Sequence, residues 1–227
     1  MSPPVRAIAV LLCVAVAVAS AGAVSSSLDD FMNRVLDDTH DPLRRFHLDP
    51  ALLEPFEVQV PSVSGRMPIL KVNFTQGLLS GLTLLRVVGQ CTYGAVVGRQ
   101  VRLGCYVDLN PLAIVMNADV RGDVTSRYGG NNRRHAISTL TRLASNAAML
   151  VEIQGNACGV PSLHRIQTQP IFWTTVVTRG EFRPTERRLG RLLDATGRHL
   201  YRQLMDTLLQ PYASILNEVL SFYRLPC

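Results

Sequence analysis

The side chains able to do chemistry are scattered through this sequence, and none falls into a catalytic spacing. The serine of Gly77-Leu78-Leu79-Ser80-Gly81 stands one residue away from the Gly-x-Ser-x-Gly elbow that presents a nucleophile. The five histidines, His40, His47, His135, His164 and His199, include no pair at helical spacing, and no Cys-x-x-Cys occurs. These patterns predict neither a metal site nor a cofactor. No glycine-rich phosphate loop follows a strand-like run. The chemistry expected of this chain is therefore binding, not catalysis, and the residues that would do it are apolar.

Those residues sit on two kinds of element. The region from Thr185 to Tyr223 has apolar positions at Leu189, Leu193, Leu200, Leu204, Leu208, Tyr212, Ile215, Val219 and Phe222, at steps of three, four or seven. That is a helical period. At ~1.5 Å per residue the helix would run roughly 60 Å, with a bend at Pro211. Before Pro211 the opposite face carries Arg187, Arg191, Arg198 and Arg202, with Asp194 among them. After Pro211 the helix is apolar on nearly all sides, through Tyr212, Ile215, Leu216, Val219, Leu220, Phe222 and Tyr223, so something must wrap it.

The middle of the chain supplies the wrapper. Val101, Leu103, Cys105, Val107 and Leu109 alternate with Gln100, Arg102, Tyr106 and Asp108. Leu112, Ile114, Met116, Ala118, Val120 and Val124 alternate with Asn117, Asp119, Arg121, Asp123, Thr125 and Arg127, and Asn110-Pro111 joins the two runs. Strict alternation predicts antiparallel strands covered on one side. Leu70, Val72 and Phe74 form another such run, and Met149, Val151 and Ile153 a fourth; a last strand is expected over about 172–178. Thr83 to Cys91 reads as an apolar strand with a bulge near Gly89, and Gln76-Gly77 and Ser80-Gly81 as brackets of a turn. His135 to Asn146 fits strand and helix equally.

Upstream, Ser27 to Leu43 forms a shorter amphipathic helix, with Ser27 as cap, Asp29 and Asp30 in its first turn and Pro42 at its end. Leu28, Phe31, Met32, Val35 and Leu36 make its apolar stripe. Asp41-Pro42, Asp49-Pro50 and Glu54-Pro55 then mark an extended linker. The architecture expected is α+β: a long curved antiparallel sheet wrapped around a long C-terminal helix, with a shorter N-terminal helix.

The first residues read as an address label. Arg6 precedes an apolar run from Ala7 to Ala19, and Ala21-Gly22-Ala23 has the small-x-small pattern of a cleavage site. This predicts a signal peptide over 1–23, a single elongated domain over 24–227, and secretion to the extracellular side. Cys13 leaves with the signal, and Cys91, Cys105, Cys158 and Cys227 remain for two disulfides. Cys91 and Cys105 lie symmetrically about Gly98, as partners across a hairpin do, which favours Cys91–Cys105 and leaves Cys158–Cys227. Asn73-Phe74-Thr75 is an N-glycosylation sequon with Asn73 on the polar parity.

Charge is lopsided. Residues 24–60 hold eight acids against three arginines, and the rest of the mature chain nineteen basic residues against nine acids, Lys71 being the only lysine. A basic body attracts anionic headgroups or glycans, and an acidic helix docked on it would account for the same asymmetry. No nucleic-acid partner is expected.

Order and proportions resemble the tubular lipid-binding superfamily, and among its members the arthropod forms: the mite group 7 allergens and, more distantly, the takeout and haemolymph juvenile-hormone-binding proteins. The resemblance rests on Asp49-Pro50 before the first strand, the Gly77-Leu78 to Gly81-Leu82 region, the long strand Leu112–Val124 and the helix Thr185–Tyr223. It departs from takeout chains in lacking a cysteine pair near the mature N-terminus. It implies a secreted, non-catalytic carrier of lipid or hormone-like ligands. The inward parity supplies the candidate lining: Leu103, Val107, Leu109, Ile114, Met116 and Val120 from the sheet, Leu200, Leu204 and Leu208 from the helix. The alternative is a cationic host-defence protein that binds lipopolysaccharide or anionic membranes through Arg187, Arg191, Arg198 and Arg202.

Overall fold

In the computed structural model, residues 27–61, 69–94, 100–121, 135–179 and 186–226 are described, with backbone alone at 135–138, 177–179 and 186–187. The expected signal peptide, the turn at 128–132, Val124, Thr185 and Cys227 lie outside them. Helix α1 covers residues 27–38 and α2 His40–Arg45. Ten strands follow: β1 (Ala51–Leu53), β2 (Phe56–Val60), β3 (Leu70–Ser80), β4 (Thr92–Tyr93), β5 (Gln100–Asp108), β6 (Ala113–Arg121), β7 (His135–Ser145), β8 (Ala148–Asn156), β9 (Ser162–Thr168) and β10 (Phe172–Arg179). The chain then enters α3 (Glu186–Thr207), a π turn over Leu208–Tyr212, and α4 (Ala213–Leu220).

The strands make two antiparallel sheets. One has six strands in the order β1-β3-β6-β7-β10, with β2 also on β3; the other has four in the order β4-β5-β8-β9. The two are sewn together where consecutive strands change sheet. The β5–β6 turn and the β7–β8 turn bond to each other there: Leu109 N–H donates to the Ala147 carbonyl at 2.9 Å, and Ala144 N–H to the Leu112 carbonyl at 3.0 Å. At the β9–β10 crossing, Gln169 N–H donates to the Ala148 carbonyl at 3.0 Å. The expected curved sheet is thus two sheets folded along a common seam.

The alternation in β5, β6 and β8 is realised as expected, with Leu103, Cys105, Val107, Ile114, Met116, Ala118, Val120, Met149, Val151 and Ile153 all inward and buried. The region 135–146 is the strand β7. The opposite face of the six-stranded sheet is less polar than expected: Leu78, Val115, Leu143 and Val176 are exposed there.

Several local readings are corrected. Pro42 does not end a helix; it stands in the first turn of α2, where no backbone N–H is required of it. The Asp-Pro-rich region is not a linker, because β1 and β2 form one interrupted edge strand along β3. Gln76-Gly77 is no turn, since β3 runs through it with a register shift between Phe74 and Gln76. The region after Gly81 begins with a 3-10 turn over Leu82–Leu84 before extending along β5, where Val88 N–H donates to the Tyr106 carbonyl at 2.8 Å. Strand β9 was hidden in sequence because most of its side chains are exposed.

The long C-terminal helix is present, with a wide turn at Pro211. Proline has no N–H to give and its ring crowds the carbonyl four residues back. A π turn relieves both by moving that carbonyl away, and Ala213 N–H reaches back five residues to the Leu208 carbonyl. Buried positions recur at a step of four, Arg188, Leu192, Thr196, Leu200, Leu204, Leu208, Tyr212, Leu216 and Leu220, and after Pro211 the expected Ile215 and Val219 are buried beside them. Leu192, not Leu189 or Leu193, is therefore the apolar anchor of the first turns. Phe222 lies past the last helical turn and is 81% exposed, against its expected place on the core stripe.

Helix α1 closes the other side. Its stripe is buried as expected, and Asp29, in its first turn, accepts from Cys91 N–H at 2.6 Å. Asn33 accepts from Val87 N–H at 3.0 Å, and Asp37 pairs with Arg86 at 2.8 Å. The disulfide Cys91–Cys105 is formed. Cys158 is also disulfide-bonded, and the Leu225 N–H donates to the neighbouring Gly159 carbonyl at 2.9 Å, which sets Leu225 beside the turn that carries that cysteine.

Candidate functional site

The helix is fixed across both sheets by polar contacts at its flanks. Where Glu54-Pro55 interrupts the edge strand, Gln203 of α3 supplies the missing partners: Glu54 N–H donates to its Oε1 at 2.7 Å, and its Nε2 donates to the Glu54 carbonyl at 3.1 Å. His199 stacks on Phe56, which stacks on Phe74. On the other flank Tyr201 and Met205 meet Thr168 of β9, and Asn217 of α4 accepts from Leu163 N–H at 2.9 Å. The inward faces of the two sheets and the step-of-four stripe of the helix enclose one another.

All nine candidate lining residues meet in this enclosure. Leu103 and Val107 come from the four-stranded sheet, Ile114, Met116 and Val120 from the six-stranded one, and Leu109 from the seam. Leu200, Leu204 and Leu208 descend from the helix, and every one of the nine is at most 1% exposed within a single apolar cluster. Arg191, Arg198 and Arg202 share the exposed face of α3; the side chain of Arg187 lies outside the described residues. Asn73 is exposed on β3, as a glycan acceptor must be. Among the described residues, no group of three or more His, Cys, Asp or Glu gathers to hold a metal ion, and no helix is long and apolar enough to cross a membrane.

Within this apolar interior stands a polar cluster that pattern reading missed. Arg142 projects inward from β7, in register with Ile114 of β6 on one side and Thr175 of β10 on the other. It is 5% exposed. Its Nε donates to Thr175 Oγ1 at 3.0 Å, and its guanidinium carbon lies 6.0 Å from the Trp173 ring centroid. The group rests against the helix backbone at Gly197, where an added Cβ would come 3.6 Å from Nη1. Nη1 itself is buried without a hydrogen-bond partner, and so is Thr196 Oγ1 on the adjoining helix position. Burial pulls the Arg142 ionisation below its usual range, and the charge of Asp194 opposes that shift. Arg188, two turns earlier on the same stripe, is also buried. Pattern alone gives little warning: neither parity of β7 is clearly apolar, and an arginine between Leu140 and Ala144 reads as facing water.

No family model and no curated protein matches this sequence. Among solved structures, the chain is similar to lipopolysaccharide binding protein, with a TM-score of 0.41 and 11% identity over 89% of this chain and 37% of that one. It is also similar to Takeout 1 of Epiphyas postvittana, with a TM-score of 0.30 and 10% identity over 76% of this chain and 75% of that one. The chain thus spans little more than a third of the lipopolysaccharide binding protein chain it matches.

Proposed function

We propose that this protein is a secreted, glycosylated, non-catalytic carrier of the tubular lipid-binding type, allied to the arthropod forms, that holds an apolar ligand between its folded sheets and its long helix. The supporting observation is the enclosure itself: nine inward residues from two sheets and one helix, all but fully buried, around a rod more than thirty residues long (Glu186–Leu220). Burial is the whole mechanism. At ~25 cal/mol per Å2, a fatty chain burying about 300 Å2 gains roughly 7 kcal/mol before the costs of association. A second disulfide, Cys158–Cys227, belongs to the same reading.

Native mass spectrometry of the mature protein purified from its source, followed by solvent extraction, tests the proposal: a bound lipid mass is expected. A folded protein that carries no lipid and binds no fatty-chain probe overturns it. Ile114→Phe, which enlarges one of the buried lining side chains, is expected to weaken probe binding in a protein that still shows a cooperative thermal melt.

The exposed row Arg191, Arg198 and Arg202 favours a second reading, a defence protein that docks on anionic bacterial lipid or membrane. Binding through that row weakens steeply as salt rises, whereas burial of a chain does not. Charge reversal at the three arginines that leaves binding to phosphatidylglycerol vesicles unchanged removes this reading.

A further inference from the structure

We propose that Arg142 and Thr196 form a headgroup site for an oxyanion, so that the ligand is an acyl chain with an acidic head. This rests on the carrier reading and narrows its ligand class. A guanidinium has five N–H donors, and one withdrawn from water needs acceptors for them. Here Nε is satisfied by Thr175 and the ring face of Trp173 lies beside the group, yet Nη1 has no acceptor. Among the described residues no carboxylate comes within ion-pair distance of Arg142; Asp194 acts on it only through its field and is itself exposed. Thr196 Oγ1 is likewise buried without a partner, one residue before Gly197, the helix position against which the guanidinium rests.

A carboxylate or phosphate oxygen supplies what both groups lack. It would accept from Nη1 as a charge-assisted hydrogen bond and take the threonine hydroxyl as a second donor. The location fits a tail as well as a head. Ile114 is the cross-strand neighbour of Arg142, and Met116 and Leu140 are the next pair inward, so a chain leaving the head runs directly onto the apolar lining. Phe, Leu or Met at position 142 would have packed this face without cost to a dry core; a buried arginine with an open donor is what an acidic ligand requires.

The chain's single tryptophan, Trp173, reports on the site. Palmitate, hexadecyl phosphate, methyl palmitate and inorganic phosphate are titrated into the delipidated mature protein while its fluorescence is followed. Palmitate or hexadecyl phosphate is expected to bind at least about tenfold more tightly than the ester, the worth of one hydrogen bond to a charged group. Arg142→Gln is expected to erase that preference while leaving ester affinity within about threefold, and Thr196→Val to reduce it. Equal affinities of acid and ester on the wild-type protein overturn the headgroup site while leaving the carrier reading intact. Inorganic phosphate matching hexadecyl phosphate also overturns it, because the anion then needs no tail. If no chain-bearing probe binds, the carrier reading itself has failed. The wild-type comparison decides even where Arg142→Gln does not fold.

Discussion

At the scale of single residues, the connection between Asp49 and the Gly81 turn shows how one carboxylate fixes the start of the sheet. Asp49 Oδ1 accepts from Gly81 N–H at 2.9 Å, and Oδ2 accepts from Thr83 N–H at 2.6 Å and Thr83 Oγ1 at 2.7 Å. Gly81 has φ +100°, and a Cβ there would stand 2.3 Å from the Pro111 carbonyl oxygen, so neither the conformation nor the space admits a side chain. Gly81→Ala is expected to cost at least about 2 kcal/mol and Asp49→Ala about 2–3 kcal/mol, both read by urea unfolding. Tyr223 carries a different prediction. Burial, and then its hydrogen bond to the Asp38 carboxylate, push its phenol up from 10 to about 12. An acid harder to ionise in the folded state contributes stability that is complete below pH 10 and is lost as pH climbs toward 12. Unfolding free energy measured across that window should fall, and Tyr223→Phe should flatten part of the fall; the rest belongs to Tyr93 and Tyr212, which burial shifts the same way.

Among the elements, those legible in sequence were those whose pattern is set by one covering layer. Strands β5, β6 and β8 alternate because one face is buried in the core and the other is turned toward water, and α1 has a plain apolar stripe. Strands β1 and β2 escaped because two X-Pro pairs dominate their sequence, while their pairing comes wholly from β3, a partner distant in sequence. Arg142 escaped for a related reason: periodicity counts apolar residues and has no term for a charge kept inside. Nor does pattern show how the helix is held at the break between β1 and β2. There Gln203 replaces strand pairing with two hydrogen bonds to the Glu54 backbone. Since that backbone is exposed, Gln203→Ala is expected to cost about 1 kcal/mol, a fall of about 2–4 °C in melting temperature. A loss of much more than this would mean that the amide also orders the Glu54-Pro55 corner.

For the molecule as a whole, the two ends of the described chain close on each other, and this closure decides whether the rod stays inside its sheets. Phe31 of α1 meets the Tyr223 ring edge to face at 5.7 Å, and Tyr93 donates to the Pro226 carbonyl at 2.9 Å. Leu225 is 2% exposed against β8, close enough that a Cβ on Gly155 would lie 3.1 Å from its Cδ1. The tail beyond α4 is thus a clasp, although it has no regular structure. Two neighbouring substitutions separate a clasp from a loose end. Leu225→Ala removes a buried side chain whose surroundings are held by β8 and the Gly159 turn, and is expected to cost about 2–3 kcal/mol. Phe222→Ala removes a larger but exposed ring, and is expected to change stability by less than about 0.5 kcal/mol. Measured by thermal and urea unfolding side by side, similar small costs at both positions would show that the tail does not hold the helix. The expected order, leucine well above phenylalanine, would show that the last residues lock the long helix against the sheets.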